Sequence, residues 1–348
     1  MDFYPLKLSY HTRNYYFGEE LIRDLKDDLP EGRIAETWEI SDYQDTTASI
    51  LNGNLAGKKL RELIQTYPEE IVAKSWSGPH FPILAKFLDA SHFLPVHLHA
   101  DDKTAKEKYG EPNGKTEAWY ILWAAEDASI LVGIKDGFSK QELFAAFKDQ
   151  NYDRVMYRYP IKTGDTVYVP SGILHSFGPN TLIYEVQQTS DLGSDVMPTD
   201  LFRNKRSEEE WDRQINKTLA ELKTHFLPKP NPGLVITEDS GEKKVCCASE
   251  YFVLEHWLLN KDKKISNFNK FMNITNLAKP VEIEYPSGIE VLKKGESCIV
   301  PAAVSEFSIK TDQASLLISY LPDLEADIIK PLQKAGYSLA EIASLGEI

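Results

Sequence analysis

Four residues in this chain could hold a transition metal: His97, His99, Glu117 and His175. His97 and His99 are two apart, and residues i and i+2 of a strand share a face, so both imidazoles can grip one ion. Glu117 opens an apolar run, Ala118 to Ala125, that reads as a buried strand. His175 ends the stretch Gly-Asp-Thr-Val-Tyr-Val-Pro-Ser-Gly-Ile-Leu-His, residues 164 to 175. Its β-branched and aromatic segment predicts a strand that Pro170 ends, and Gly172 can supply the positive φ of a tight turn. His175 would then start the next strand, on a rigid hairpin edge suited to a ligand. Three imidazoles and one carboxylate suit Zn, Mn, Fe, Co or Ni rather than Ca or Mg. Taken singly, each residue has a plainer reading: a packed or loop histidine, or a Glu117 paired with Lys115. Their order along the chain points instead to one site. His11, His80, His92, His225 and His256 lack such company and read as structural or surface residues.

The spacing Gly-x5-Pro-x-Gly-x2-His resembles the second motif of the cupin superfamily, whose histidine ligates a metal inside a small β-barrel. Four further segments resemble type I phosphomannose isomerases: Glu36-Thr37-Trp38-Glu39-Ile40-Ser41, Phe81 to Ala90, Gly114 to Tyr120, and Glu185 to Asp191. They span roughly residues 15 to 195, and Leu292 to Pro301 resembles the family's second β-domain more loosely. The resemblance implies a zinc-dependent aldose–ketose isomerase of cupin fold, with His99, Glu117 and His175 matching its metal ligands. It also places Lys115 near the substrate, and Glu185 and Asp191 among the acids of the active-site strand and the loop after it. Lys86, in the Phe81 to Ala90 segment, is read as a substrate contact.

Three positions depart from the family. His97 stands where glutamine is usual, Pro95 where a serine associated with phosphate binding is usual, and Asp195 where an arginine follows the Ser-Asp signature. An acid in place of that arginine would repel a phosphate, so the substrate is either an altered sugar or a sugar phosphate met by a remodelled loop. In the basic run Arg203-Asn204-Lys205-Arg206, Arg203, Lys205 or Arg206 is the candidate replacement cation, with Arg203 read as a substrate contact; the run's plainer reading is a solvated lead-in to a helix.

The chemistry implied is the transfer of a carbonyl between adjacent sugar carbons. A metal polarises the oxygen, a base shuttles the proton, and an enediol lies between. Glu185 is the candidate base, because it sits at the end of an apolar strand (Leu182, Ile183, Val186) that would desolvate it and raise its pKa. Its alternative role is to orient a ligand. Lys115 would stabilise the oxyanion. Two other classes fit part of the pattern. His97 moves the site toward the three-histidine, one-glutamate set of cupin oxidases and dioxygenases, and a non-catalytic sugar-binding regulator would have kept the fold.

The elements that must position these residues are mainly β with helical segments. Two cupin-type β-barrels (double-stranded β-helices) are expected, the first metal-bearing. We place a catalytic domain at 1–228, a second, metal-free β-domain at 229–321 and a helical tail at 322–348, with Pro228 to Gly233 as the linker. Helices are expected over Lys58 to Glu70, from Ser139 to Lys148, and from Ser207 to about His225, the last two starting with capping residues. The tail helix should be interrupted at Gly336. At 348 residues the chain can bury a large core. A net charge of −14 argues against a nucleic-acid surface. Three cysteines without metal spacing point to a reducing compartment, the cytoplasm. The first residues show no signal-peptide pattern, and no run is long enough to span a membrane. The expected partner is a small sugar or sugar phosphate.

Overall fold

The computed structural model describes residues 2–267 and 269–348. Its first part carries β1 (Leu6–Lys7), β2 (His11–Arg13), β3 (Glu36–Ile40), β4 (Ile83–Ala90), β5 (His97–Leu98), β6 (Glu117–Ala124), β7 (Ser129–Ile134), β8 (Met156–Pro160), β9 (Thr166–Val169), β10 (His175–Phe177), β11 (Thr181–Gln188) and β12 (Ser194–Asp195). A six-stranded sheet runs β2-β3-β4-β11-β6-β9, and a five-stranded sheet runs β12-β5-β10-β7-β8. They face each other around a core that includes Leu88, Trp119, Ile121, Val132 and Phe177. This is the first cupin unit, built as two facing sheets. The alternation of strand side chains divides β6 between two cores: Trp119 and Ile121 point into the cupin interior, and Ala118 and Tyr120 point out of it.

The second unit repeats the plan. A seven-stranded sheet, in the order β1, Ser297–Val300, Met272–Asn276, Ala314–Tyr320, Val253–Leu259, Gly241–Ala248 and Leu234–Glu238, faces a four-stranded sheet across a second core. The chain's first strand therefore belongs to its last sheet, with Leu6 opposite Ile299. The six- and seven-stranded sheets pack back to back. Phe87, Tyr184 and Val186 from one and Leu254, Ile299 and Leu317 from the other share the largest cluster. Polar contacts cross the same layer, with Tyr184 Oη 3.0 Å from Thr275 Oγ1 and Tyr120 Oη 3.0 Å from His256 Nδ1.

Helices Lys140–Lys148 and Glu208–Glu221 cover the outer face of the five-stranded sheet. Both start at the expected serines with full capping boxes. The second ends at Glu221, short of the expected His225. Leu222 turns extended, and the Lys223 amide donates to the Gly172 carbonyl at 2.8 Å while its ammonium pairs with Asp101. Docking onto the turn at Gly172 thus overrides helix propensity there. The Pro-rich segment after it does not swing free, since Asn231 and Thr166 exchange two backbone bonds of 2.8 Å. In the tail, Gly336 at φ +100° separates the helical residues 324–334 from Leu339–Ala343. Among the described residues, no helix is long and apolar enough to cross a membrane.

Candidate active site

The turn read from the sequence forms as expected. Pro170 follows β9, Gly172 adopts φ +87°, and His175 opens β10. β10 pairs with β5 so that His175 lies opposite His97, and His99 follows one residue beyond β5. The three imidazole centroids lie 4.2, 4.8 and 5.1 Å apart.

Each ring is held by its backbone. Nδ1 lies 2.8 Å from a carbonyl oxygen in all three cases: Pro95 for His97, Leu192 for His99, and Ile173 for His175. A carbonyl can only accept, so Nδ1 carries the proton and each Nε2 is left as a lone pair pointing inward. Burial lowers the His99 imidazole to about 3 and holds His97 well below its usual value, helped by charges of Lys115 and the neighbouring rings. Glu117 joins them, with its two carboxylate oxygens each 3.2 Å from an Nε2, those of His99 and His175. Burial would raise this carboxyl, but Lys115, His99 and His175 outweigh it and hold it well below the usual range.

The set fits a divalent transition ion on its own evidence. The Nε2 lone pairs of His97 and His175 face each other at 3.1 Å, which is repulsive unless a cation lies between them. Among the described residues, His99 Nε2 is buried without a hydrogen-bond partner, a costly state that coordination relieves.

Opposite the histidines, the inner face of the six-stranded sheet carries a charged row. Glu185 on β11 is in register with Lys86 on β4 and Trp119 on β6. Its Oε1 lies 3.3 Å from the Lys86 ammonium and 3.2 Å from that of Lys115. Lys86 also reaches Glu36 at 3.4 Å, and Lys115 reaches Glu117 at 2.9 Å. Burial and the nearby Glu117 charge raise the Glu185 carboxyl to about 7, against the pull of both lysines. Burial alone would lower both ammoniums, but the surrounding carboxylates raise them. Glu185 lies in mid-strand, not at the strand end anticipated, because β11 runs on to Gln188.

Between the two groups is a cavity of about 200 Å³. Lys86, Lys115, Glu185, Asp191 and Asp195 line it together with His97, His99 and Glu117. Asp191 exposes its surface to this cavity while protein surrounds it, so desolvation raises its carboxyl. Asp195 on β12 stands opposite His97. Arg203 does not line the cavity; it is exposed, with its guanidinium 4.9 Å from the centre of the Tyr16 ring. Its φ of +63° turns the chain so that Arg206, not Arg203, comes back to Asp195.

Glu36 does not stand out as a site residue in the sequence, although it lies in the family-like segment Glu36 to Ser41. The available signal was its Glu-x-Trp spacing. Trp38 Nε1 donates to Glu36 at 2.7 Å, just as Trp119 Nε1 donates to Glu117 at 2.9 Å. Carboxylate and indole at i and i+2 share a strand face, and the indole orients the acid toward the interior.

Two cupin units, the first with a histidine–glutamate cluster facing a lysine–glutamate row across a polar chamber, define a cupin enzyme. Residues 6–126 match the family described as phosphomannose isomerase type I, catalytic domain, and residues 242–321 match mannose-6-phosphate isomerase, cupin domain. The chain belongs to the type I phosphomannose isomerase family. It is 29% identical over 311 residues to a mannose-6-phosphate isomerase of Streptococcus mutans, covering 88% of this chain and 96% of that protein. It is 26% identical to mannose-6-phosphate isomerase ManA of Bacillus subtilis, covering 91% and 99%. The solved mannose 6-phosphate isomerase of Bacillus subtilis superposes with a TM-score of 0.81 at 27% identity, again covering 91% and 99%.

Proposed function

We propose that the chain is a metal-dependent aldose–ketose isomerase acting on a small sugar or sugar phosphate through an enediol. The observation that carries this reading is the Glu185 carboxylate, held between two ammoniums on the wall facing the histidine cluster. His97, His99, Glu117 and His175 would hold the ion, with zinc first among those their nitrogen and oxygen donors suit. Bound there, it supplies Lewis acidity toward a sugar carbonyl oxygen.

The protein's own groups do the rest. Glu185 takes the proton from the carbon next to the carbonyl and returns it to the former carbonyl carbon. The hydroxyl proton moves in the same sense, from the oxygen on that carbon to the former carbonyl oxygen, so the sugar is isomerised without net gain or loss of atoms. A carboxyl near 7 is matched to both halves of that exchange. The Lys115 ammonium faces the oxyanion that develops. Lys86 and Glu36 hold Glu185 in register. Tyr15, Phe17 and Phe177 wall the cavity and limit water. The three free, buried cysteines fit a reducing, cytoplasmic setting.

The test is solvent deuterium exchange into a panel of aldoses and ketoses by metal-loaded protein. Exchange at the carbon beside the carbonyl supports the isomerase. Oxygen uptake without exchange would replace it with an oxidase, and saturable binding with neither would leave a sugar-binding regulator.

A further inference from the structure

The cations around the cavity are mostly engaged. The Lys86 ammonium lies 3.4 Å from Glu36 and 3.3 Å from Glu185, and that of Lys115 lies 2.9 Å from Glu117 and 3.2 Å from Glu185. Arg206 turns its fork to Asp195, with Nη2 donating to Oδ2 at 2.9 Å and Nη1 to Oδ1, while Nη1 also donates to the Met197 carbonyl at 2.8 Å. The acid that stands opposite His97 is thereby offset.

Arg13 is different. It lies on β2, the edge strand of the six-stranded sheet, opposite Glu36 of β3. Residues paired across two strands share a face, so Arg13 is on the side where Glu36 lines the cavity. Glu36 does not hold it, because its Oε2 accepts from Trp38 Nε1 at 2.7 Å and meets Lys86 at 3.4 Å. Among the described residues, no carboxylate forms an ion pair with Arg13. Its guanidinium instead lies over the buried Trp38 indole, 4.5 Å from the ring centre. Stacking of this kind fixes the plane of the group and leaves its N–H edge open to a ligand. Burial raises the Asp191 carboxyl and the Tyr15 hydroxyl, and Arg13 is among the positive charges that oppose the rise in each. Both of those side chains line the cavity. Arg203 acts instead on Tyr16 and Glu19, which do not line it.

Building on the isomerase reading, we propose that Arg13 is the phosphate anchor of this chamber: its fork binds the terminal phosphate of a sugar phosphate whose carbonyl end lies at the histidine cluster, and so sets the preference for phosphorylated over neutral sugars. A planar guanidinium meets two phosphate oxygens at once. Held on a strand and stacked on an indole, it loses little freedom when it does so.

The experiment compares hexose 6-phosphates with the same hexoses unphosphorylated on metal-loaded protein, with inorganic phosphate as a competing ligand. Wild type should favour the phosphorylated sugars in kcat/KM by on the order of 10²-fold or more, and inorganic phosphate should compete with them. Arg13→Met should lower that ratio by on the order of 10²-fold, mainly through KM, and weaken inhibition by inorganic phosphate. Arg13→Lys keeps the charge and loses the fork, so its ratio should fall between the two. Arg203→Met should leave the ratio unchanged. A wild type without preference for phosphorylated sugars overturns the proposal. Equal losses for both kinds of sugar in Arg13→Met overturn it as well, since they mark a purely structural role, as does loss of the preference in Arg203→Met. Calorimetric phosphate binding that depends on Arg13, without deuterium exchange into any sugar, would sink the isomerase reading and leave the anchor standing. If Arg13→Met does not fold, wild type and Arg13→Lys decide the matter.

Discussion

His97 and His175 stand opposite each other in the β5–β10 pairing with their Nε2 atoms 3.1 Å apart and both Nδ1 protons committed to backbone carbonyls. Two lone pairs at that distance repel each other unless a cation lies between them. We expect one transition-metal ion per chain by elemental analysis, and close to none in His175→Ala, which should also be inactive. A fully loaded His175→Ala protein, or a second ion that survives the substitution, would count against this site and against a metal-free second unit. Stripping the ion with a chelator should lower thermal stability, since a ligand at a hundred times its Kd stabilises by about 2.7 kcal/mol.

Glu185→Gln should retain the ion and lose proton exchange by a factor of roughly 10² to 10⁴. The sign of the pH effect follows from the role. A base works deprotonated, so kcat/KM should fall as pH drops through the Glu185 pKa. That value is about 7 without the ion, and the ion's positive charge moves the acid limb below it. An unchanged acid limb in Glu185→Gln with residual activity would assign the proton transfer elsewhere.

Lys86→Met tests the charged row as a structural element. The lysine is buried between Glu36 and Glu185, so its removal leaves two buried carboxylates under-compensated. We expect a loss of roughly 3–5 kcal/mol in urea unfolding at neutral pH, which shrinks as the carboxylates protonate in acid. A loss that does not change with pH would point to packing rather than charge.

Leu6→Ala tests how the two units are joined. Leu6 is fully buried in β1, which completes the far sheet, and it packs in the cluster shared by both units. A large-to-small change there should cost roughly 2–5 kcal/mol. Both units should still unfold in one transition, followed by fluorescence and circular dichroism. Separated transitions would show that the shared layer does not couple them.

The grouping of the candidate metal ligands was legible from the sequence because its signals are local. An i, i+2 pair, a strand-opening glutamate and a Pro-x-Gly turn each set direction through period-two alternation or a backbone turn. The helix starts at Ser139 and Ser207 were legible for the same reason, since a capping box closes within four residues. The end of the second helix was not, because Lys223 leaves it for a contact with Gly172, some fifty residues away in sequence.

The amino-acid sequence by itself determined the cupin class, the four inward-facing residues proposed as ligands and the placement of an acid, Asp195, where the family pattern has an arginine. Only the tertiary structure decided what surrounds them. Glu185 meets Lys86 through the β11–β4 register, Glu36 enters from a third strand, and Arg206 rather than Arg203 returns to clamp Asp195. These are cross-strand and cross-loop pairings. Their partners are set by which strands become neighbours and by a positive φ at Arg203, and neither is encoded in the spacing of residues along one segment.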